Sequence, residues 1–211
     1  MSDPQTVETV VMPGHHGDTL STALQVLARG GIVAFPTDTV YGLGADVFSN
    51  QAVVRLYRAK GRSRKKAIPV LIASPEDLGR VASGPSPMAE RLGVKYWPGP
   101  LTLVVPCHPH LPLQVSPYPT VAVRVPDHPF ARALLAASGP LAVTSANPSG
   151  KPSARTAETV LTALRGKVDL VVDGGETPGD RPSTIVDCTG QAPRLLREGP
   201  ISMEAIRQAL A

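Results

Sequence analysis

Rings and thiols are scarce in this chain: of 211 residues, three are Phe, four Tyr, one Trp and two Cys. So few rings argue against single-stranded bases stacked on exposed aromatics. Cys107 and Cys188 stand far apart with no C-x-x-C pair, which predicts neither a disulfide framework nor a zinc site and fits a reducing, cytoplasmic setting. No stretch approaches the ~20 apolar residues of a membrane span, and the first thirty residues show no basic n-region with an apolar core, so neither membrane insertion nor export is expected. The phosphate-loop pattern G-x-x-x-x-G-K-[ST] and the nucleophile pattern G-x-S-x-G are both missing, which leaves positioning and charge, not covalent catalysis, to carry any chemistry.

What is present is an ordinary globular balance of 42% hydrophobic and 18% charged residues with a net charge of +4. The 23 prolines and 19 glycines are spread over turns, and no repeat occurs, so one domain over residues 1–211 is expected. Leu20, Ala23, Leu24 and Leu27 recur on one helical face, and Gly30-Gly31 ends that helix. GIVAFP reads as a strand, TDTVYGLGADV as a loop, and a helix begins near Asn50 with Val53, Val54, Leu56 and Tyr57 inward. IPVLIAS reads as a buried strand, and Ser74-Pro75-Glu76-Asp77 as the cap of another helix. LTLVVP, TVAVRVP, PLAVTSAN, VDLVVDGG, STIVDC and PRLLREG are short strands, with helices near residues 130–137, 156–165 and 203–210 between them. Several strands follow one another directly, which predicts an α/β or α+β fold on a mixed sheet.

Three segments could carry chemistry. RAKGRSRKK crowds Arg58, Lys60, Arg62, Arg64, Lys65 and Lys66 at a helix end, either a solvated terminus suited to the macrodipole or a binder of phosphate or carboxylate. PTDTVYGLGA offers the hydroxyls of Thr37, Thr39 and Tyr41, and Gly42 and Gly44 would permit close backbone approach to a small polar ligand; an ordinary turn is the other reading. PLAVT runs into SANPSGKPS, which puts Ser145, Asn147 and Ser149 at a strand end where open α/β sheets place binding groups, or where Asn-Pro makes a turn. His108 and His110 lack a third ligand at metal spacing.

FPTDTVYGLGA, the K-G-R of residues 60–62, TSANPSG, STIVD and LLREG together resemble the YrdC-like family of threonylcarbamoyl-AMP synthases, in the family order and over residues 18–205. The resemblance implies a twisted mixed sheet flanked by helices around a deep basic cavity, in the short form without an additional C-terminal domain. It implies a nucleotidyltransferase that joins L-threonine, bicarbonate or CO2, and ATP into threonylcarbamoyl-AMP and pyrophosphate for tRNA threonylcarbamoyladenosine. Mg2+ is expected with ATP, and a separate transferase complex receives the product.

By motif matching, Lys60 and Arg62 clamp charge at the reacting centre. Thr39, Tyr41, Arg124, Ser145 and Ser183 fall on the L-threonine side. Lys66, Thr120, Asn147 and Arg197 join Lys60 and Arg62 on the ATP side. The chain departs from the family pattern at Ser63, where proline is frequent, and at Leu71, where some members carry histidine. A rival from another class is a YrdC-like nucleotide- or RNA-binding module without this activity, since the basic cluster suits tRNA or double-stranded RNA. Another is the YrdC-like domain of hydrogenase-maturation carbamoyltransferases, whose accompanying cysteine-rich motifs are not found here.

Overall fold

In β5 (Leu101–Pro106), β6 (Thr120–Arg124) and β9 (Thr184–Asp187) every second side chain is buried and, apart from Thr102 and Arg124, the residues between are partly open, the period of a strand with one covered face. These strands form one end of a ten-stranded mixed sheet. The other members are β1 (Val10–Pro13), β2 (Val33–Phe35), β3 (Gly42–Asp46), β4 (Val70–Leu71), β7 (Leu141–Ser145), β8 (Leu170–Asp173) and β10 (Arg194–Arg197). Their order across the sheet is β1-β8-β2-β3-β7-β4-β6-β5-β9-β10. The structure, a computed structural model, describes residues 7–211, so the first six residues of the expected domain lie outside it.

Helices α2 (Asn50–Lys60), α3 (Pro87–Tyr96), α5 (Ala157–Leu164) and α6 (Met203–Leu210) pack on one face over a core that includes Leu56, Leu92, Val160 and Ile206. On the other face, α1 (Gly17–Ala28) and α4 (Pro129–Ser138) bury Val26, Leu27, Leu134 and Leu135 against Phe35, Leu71, Val143 and Leu170. That second layer ends near β4, and beyond it the same face of β6, β5 and β9 is left partly open, with Thr120, Ala122, Val104 and Ile185 half-buried. None of the described helices is long and apolar enough to cross a membrane.

Six local expectations need correction. β1 has no counterpart among the expected strands, because its exposed Val10 and Val11 show no alternation and only parallel pairing with β8 defines it. β3 replaces part of an expected loop. Its glycines face protein, not ligand: a Cβ on Gly44 would sit 2.8 Å from the Phe35 ring, and one on Gly42 2.9 Å from Val143. β4 shrinks to two residues, and the helix after Ser74 is a 3-10 helix over Pro75–Arg80 whose Ser74 side chain makes no capping bond. Val54, expected inward on α2, is half-buried while Val53, Leu56 and Tyr57 are buried.

Two local features aim the site. The Ser49 hydroxyl caps α2, which stops at Gly61 in the left-handed region (φ 60°), so the chain turns sharply between Lys60 and Arg62. β10 pairs with β9 through Arg194–Asp187 and Leu195–Val186, then skips a residue so that Arg197 lies opposite Ile185.

Candidate functional site

Strand parity alone puts several expected residues on one face. Val121 and Val123 point into the helix-covered core, so Thr120 and Arg124 point to the opposite face; Ser145 shares the side of Val143, and Ser183 that of Ile185. Arg124 lies opposite Leu71, and Ser145 opposite Gly42.

Lys60, last residue of α2, is 3% exposed, and its Nζ donates to the carbonyls of Ser145 and Asn147. The Ser149 amide donates to the Lys60 carbonyl (2.8 Å), so the helix end and the 145–149 loop are tied in both directions. Half-buried Arg62 donates from Nε to the Lys66 carbonyl (3.2 Å) and from Nη2 to that of Ala67 (2.8 Å). The expected cluster therefore divides: Lys60 and Arg62 turn in, and Arg58, Arg64, Lys65 and Lys66 remain exposed. Lys66 takes part through its backbone, its carbonyl accepting from Arg62 and from the Tyr57 hydroxyl (3.0 Å).

Arg124 is the most tightly held cation. Its Nε donates to the Gly99 carbonyl (2.9 Å), Nη1 to Thr39 Oγ1 (3.0 Å) and Nη2 to Asp38 Oδ1 (2.5 Å). Asp38 Oδ1 also accepts from the Asp127 amide (3.1 Å), while Oδ2 is buried without a partner. Buried Thr39 sits 3.1 Å, Oγ to Oγ, from Thr37, whose own hydroxyl donates to the Val40 carbonyl (2.7 Å). Tyr41 is fully buried; its hydroxyl donates to the Gly175 carbonyl (2.7 Å) and accepts from the Gly174 amide (3.2 Å). Of the three hydroxyls expected to face a ligand, those of Thr37 and Tyr41 thus brace backbone, and Thr39 alone adjoins a site cation.

Ser183 Oγ lies 2.7 Å from Thr102 Oγ1 and accepts from Arg197 Nη2 (3.1 Å), which also donates to the Ser183 carbonyl (2.8 Å). Asn147 donates Nδ2 to the carbonyls of Pro148 (2.9 Å) and Lys151 (2.6 Å), leaving Oδ1 buried and unpartnered. A cavity of about 470 Å3 opens between this loop and α5, lined by Asn147, Lys151, Ala154, Glu158 and Thr162. A cleft of about 650 Å3 between the 3-10 helix and α4, lined by Ser74, Asp77, Asp127 and Arg132, meets the constellation only through Asp127.

Burial pushes the Lys60 ammonium down to about 8, with Arg62 adding repulsion. Arg197 is exposed as a residue, but desolvation of its guanidinium lowers it, and Arg124 and then Arg62 add to that. The contacts of Asp38 and Gly99 with Arg124, and of Thr102 with Ser183, carry no signal in the local sequence pattern. His108 and His110 pack edge to face at 4.8 Å, and no group of three or more His, Cys, Asp or Glu among the described residues could hold a metal.

Comparison with known proteins finds the same family that the sequence resembles. The model of the Sua5, YciO and YrdC domain, described as telomere recombination, matches residues 25–199. The threonylcarbamoyl-AMP synthase of Bacillus subtilis (strain 168) is 43% identical over 195 residues, 90% of this chain and 56% of that protein. A putative threonylcarbamoyl-AMP synthase of Mycobacterium tuberculosis (strain H37Rv) is 42% identical over 90% of this chain and 88% of its own. The crystal structure of P. abyssi Sua5 complexed with L-threonine superposes with a TM-score of 0.90 at 39% identity, covering 97% of this chain and 60% of that one. The chain spans about half the length of the first of these curated relatives. Matched over most of its length by the domain model and by relatives above 40% identity, the chain belongs to the Sua5, YciO and YrdC family.

Proposed function

We propose that the chain is a nucleotidyltransferase that makes threonylcarbamoyl-AMP from L-threonine, bicarbonate or CO2, and ATP, for the modification of tRNA. The observation that carries this reading is a pair of cationic groupings: Lys60 held by the 145–149 loop beside Arg62, and Arg124 and Arg197 bonded to Thr39 and Ser183. Polyphosphate and a small hydroxy amino acid are the ligands such a division suits.

The threonine amine captures CO2 as a carbamate. A carbamate oxygen then attacks the α-phosphorus, the bond to the bridging oxygen breaks, and pyrophosphate leaves with its electron pair. Arg124 pairs with the threonine carboxylate, and Thr39, Ser145 and Ser183 offer hydroxyls. Lys60, Arg62 and Arg197 meet the charge spreading over the phosphate oxygens, with Thr120 and Asn147 on the nucleotide side. Mg2+ held by the triphosphate would offset its charge, since no group of three or more His, Cys, Asp or Glu among the described residues could hold the ion. The product passes to a separate transferase.

Purified protein incubated with ATP and bicarbonate is expected to release pyrophosphate only when L-threonine is added. Release that ignores threonine, or none at all, sinks the reading.

The depressed Lys60 value gives a pH dependence. Between pH 8 and the ordinary lysine value the unfolded chain holds a proton that the free folded protein has lost, so this group makes stability rise with pH in that window. Phosphate binding needs that proton back. ATP affinity is therefore expected to fall about tenfold per pH unit above pH 8, with proton uptake visible by calorimetry in buffers of different ionisation heat. An affinity flat from pH 7 to 10 rules Lys60 out as a phosphate contact.

A further inference from the structure

The cations of the basin are not equivalent. Among the described residues, Lys60, Arg62 and Arg197 have no carboxylate within ion-pairing distance, whereas Arg124 is paired with Asp38, the two side chains being 7% and 13% exposed. An arginine has five N–H donors; three on Arg124 are taken by Gly99, Thr39 and Asp38, which leaves two for a ligand. Asp38 does not serve Arg124 alone, because the same oxygen accepts from the Asp127 amide ahead of α4. It joins the β2–β3 connection to the end of β6 and the start of α4, so the carboxylate is fixed from both sides.

A highly charged polyphosphate binds wherever unneutralised cations concentrate. Arg197 donates to Ser183, whose hydroxyl meets Thr102 of β5, the strand paired with the β6 that carries Arg124, so Arg124 stands beside a cation that draws the polyanion. Without a counter-charge it would extend the phosphate site into the region of Thr39 and Ser183. With Asp38 at 2.5 Å the pair is nearly neutral and a polyanion gains little there, while two oriented N–H groups still fit a single planar carboxylate.

We propose that Asp38 is a specificity-determining residue, which by its buried pairing with Arg124 keeps polyphosphate off that guanidinium and leaves it to a monocarboxylate. This rests on the function proposed above for the ligands' identity, though the exclusion of a second polyanion can be read without it.

Calorimetric titration of the full chain with inorganic pyrophosphate and with L-threonine tests it. Wild-type protein is expected to take one equivalent of pyrophosphate and to bind L-threonine equally well with pyrophosphate present or absent. Asp38→Asn is expected to take a second equivalent, and saturating pyrophosphate should raise its apparent Kd for L-threonine by about tenfold or more, the order set by removal of a buried charge partner. Asp38→Asn protein with one equivalent, whose threonine binding ignores pyrophosphate, overturns the proposal. Asp38→Glu keeps the charge and decides the matter if the asparagine variant does not fold: one equivalent is expected, and a second overturns it. Should wild-type protein bind pyrophosphate but no L-threonine, the proposed function falls, while the stoichiometry of the variants still decides the role of Asp38.

Discussion

Lys60→Met is expected to lower threonine-dependent pyrophosphate release by about 10²- to 10³-fold, the usual loss when one preorganised charge-stabilising group is removed. Methionine keeps the length and apolar body of the side chain, so α2 retains its packing while the ammonium disappears. The carbonyls of Ser145 and Asn147 lose their donor, which costs about 1–3 kcal/mol of stability if water does not replace it. Rates are therefore compared well below the unfolding transition, with folding checked by circular dichroism. A variant that stays folded and works within about threefold of wild type, a difference under 1 kcal/mol in barrier height, removes Lys60 from the chemistry.

Arg124→Ala should have the largest effect on stability. It strands the Asp38 carboxylate in a site 13% exposed, and breaking a buried pair from one side costs about 3–5 kcal/mol. It also frees Thr39 Oγ1 and the Gly99 carbonyl, and L-threonine binding is lost with the carboxylate partner. Removing both charges is milder: Arg124→Ala combined with Asp38→Ala should be more stable than Arg124→Ala alone, since no uncompensated charge remains. Urea denaturation of the four proteins measures this directly. A double variant less stable than both singles contradicts the ion-pair account.

Much of this could be read from the residues. The continuous apolar runs of β2, β5 and β8 and the capped periodicity of α1 and α2 mark themselves locally, and the five motif blocks bring Thr39, Lys60, Arg62, Ser145, Ser183 and Arg197 under one resemblance. What escaped has a common cause. Asp38 stands between two threonines in a turn-like segment, and its partner is 86 residues further along. Thr102 meets Ser183 across 81 residues from inside a strand whose hydrophobic pattern conceals it. Local pattern cannot register such pairs, because the closing contact exists only once the sheet has formed. Gly42 and Gly44 misled for the converse reason: the absent side chains make room for Phe35 and Val143, protein neighbours that a ligand reading overlooks.

The skipped residue in β10 decides more than strand shape. In unbroken antiparallel register the residue facing Ile185 would be Leu196, and the guanidinium after it would emerge on the helix-packed side of the sheet, away from Ser183. One surplus residue reverses that handedness of presentation, so Arg194 and Arg197 look the same way although an odd number of bonds separates them. Deleting Leu196 would remove the bulge and still leave Arg197 opposite Ile185, whereas one residue inserted after Leu196 would carry that guanidinium opposite Thr184, to the wrong side of the wall.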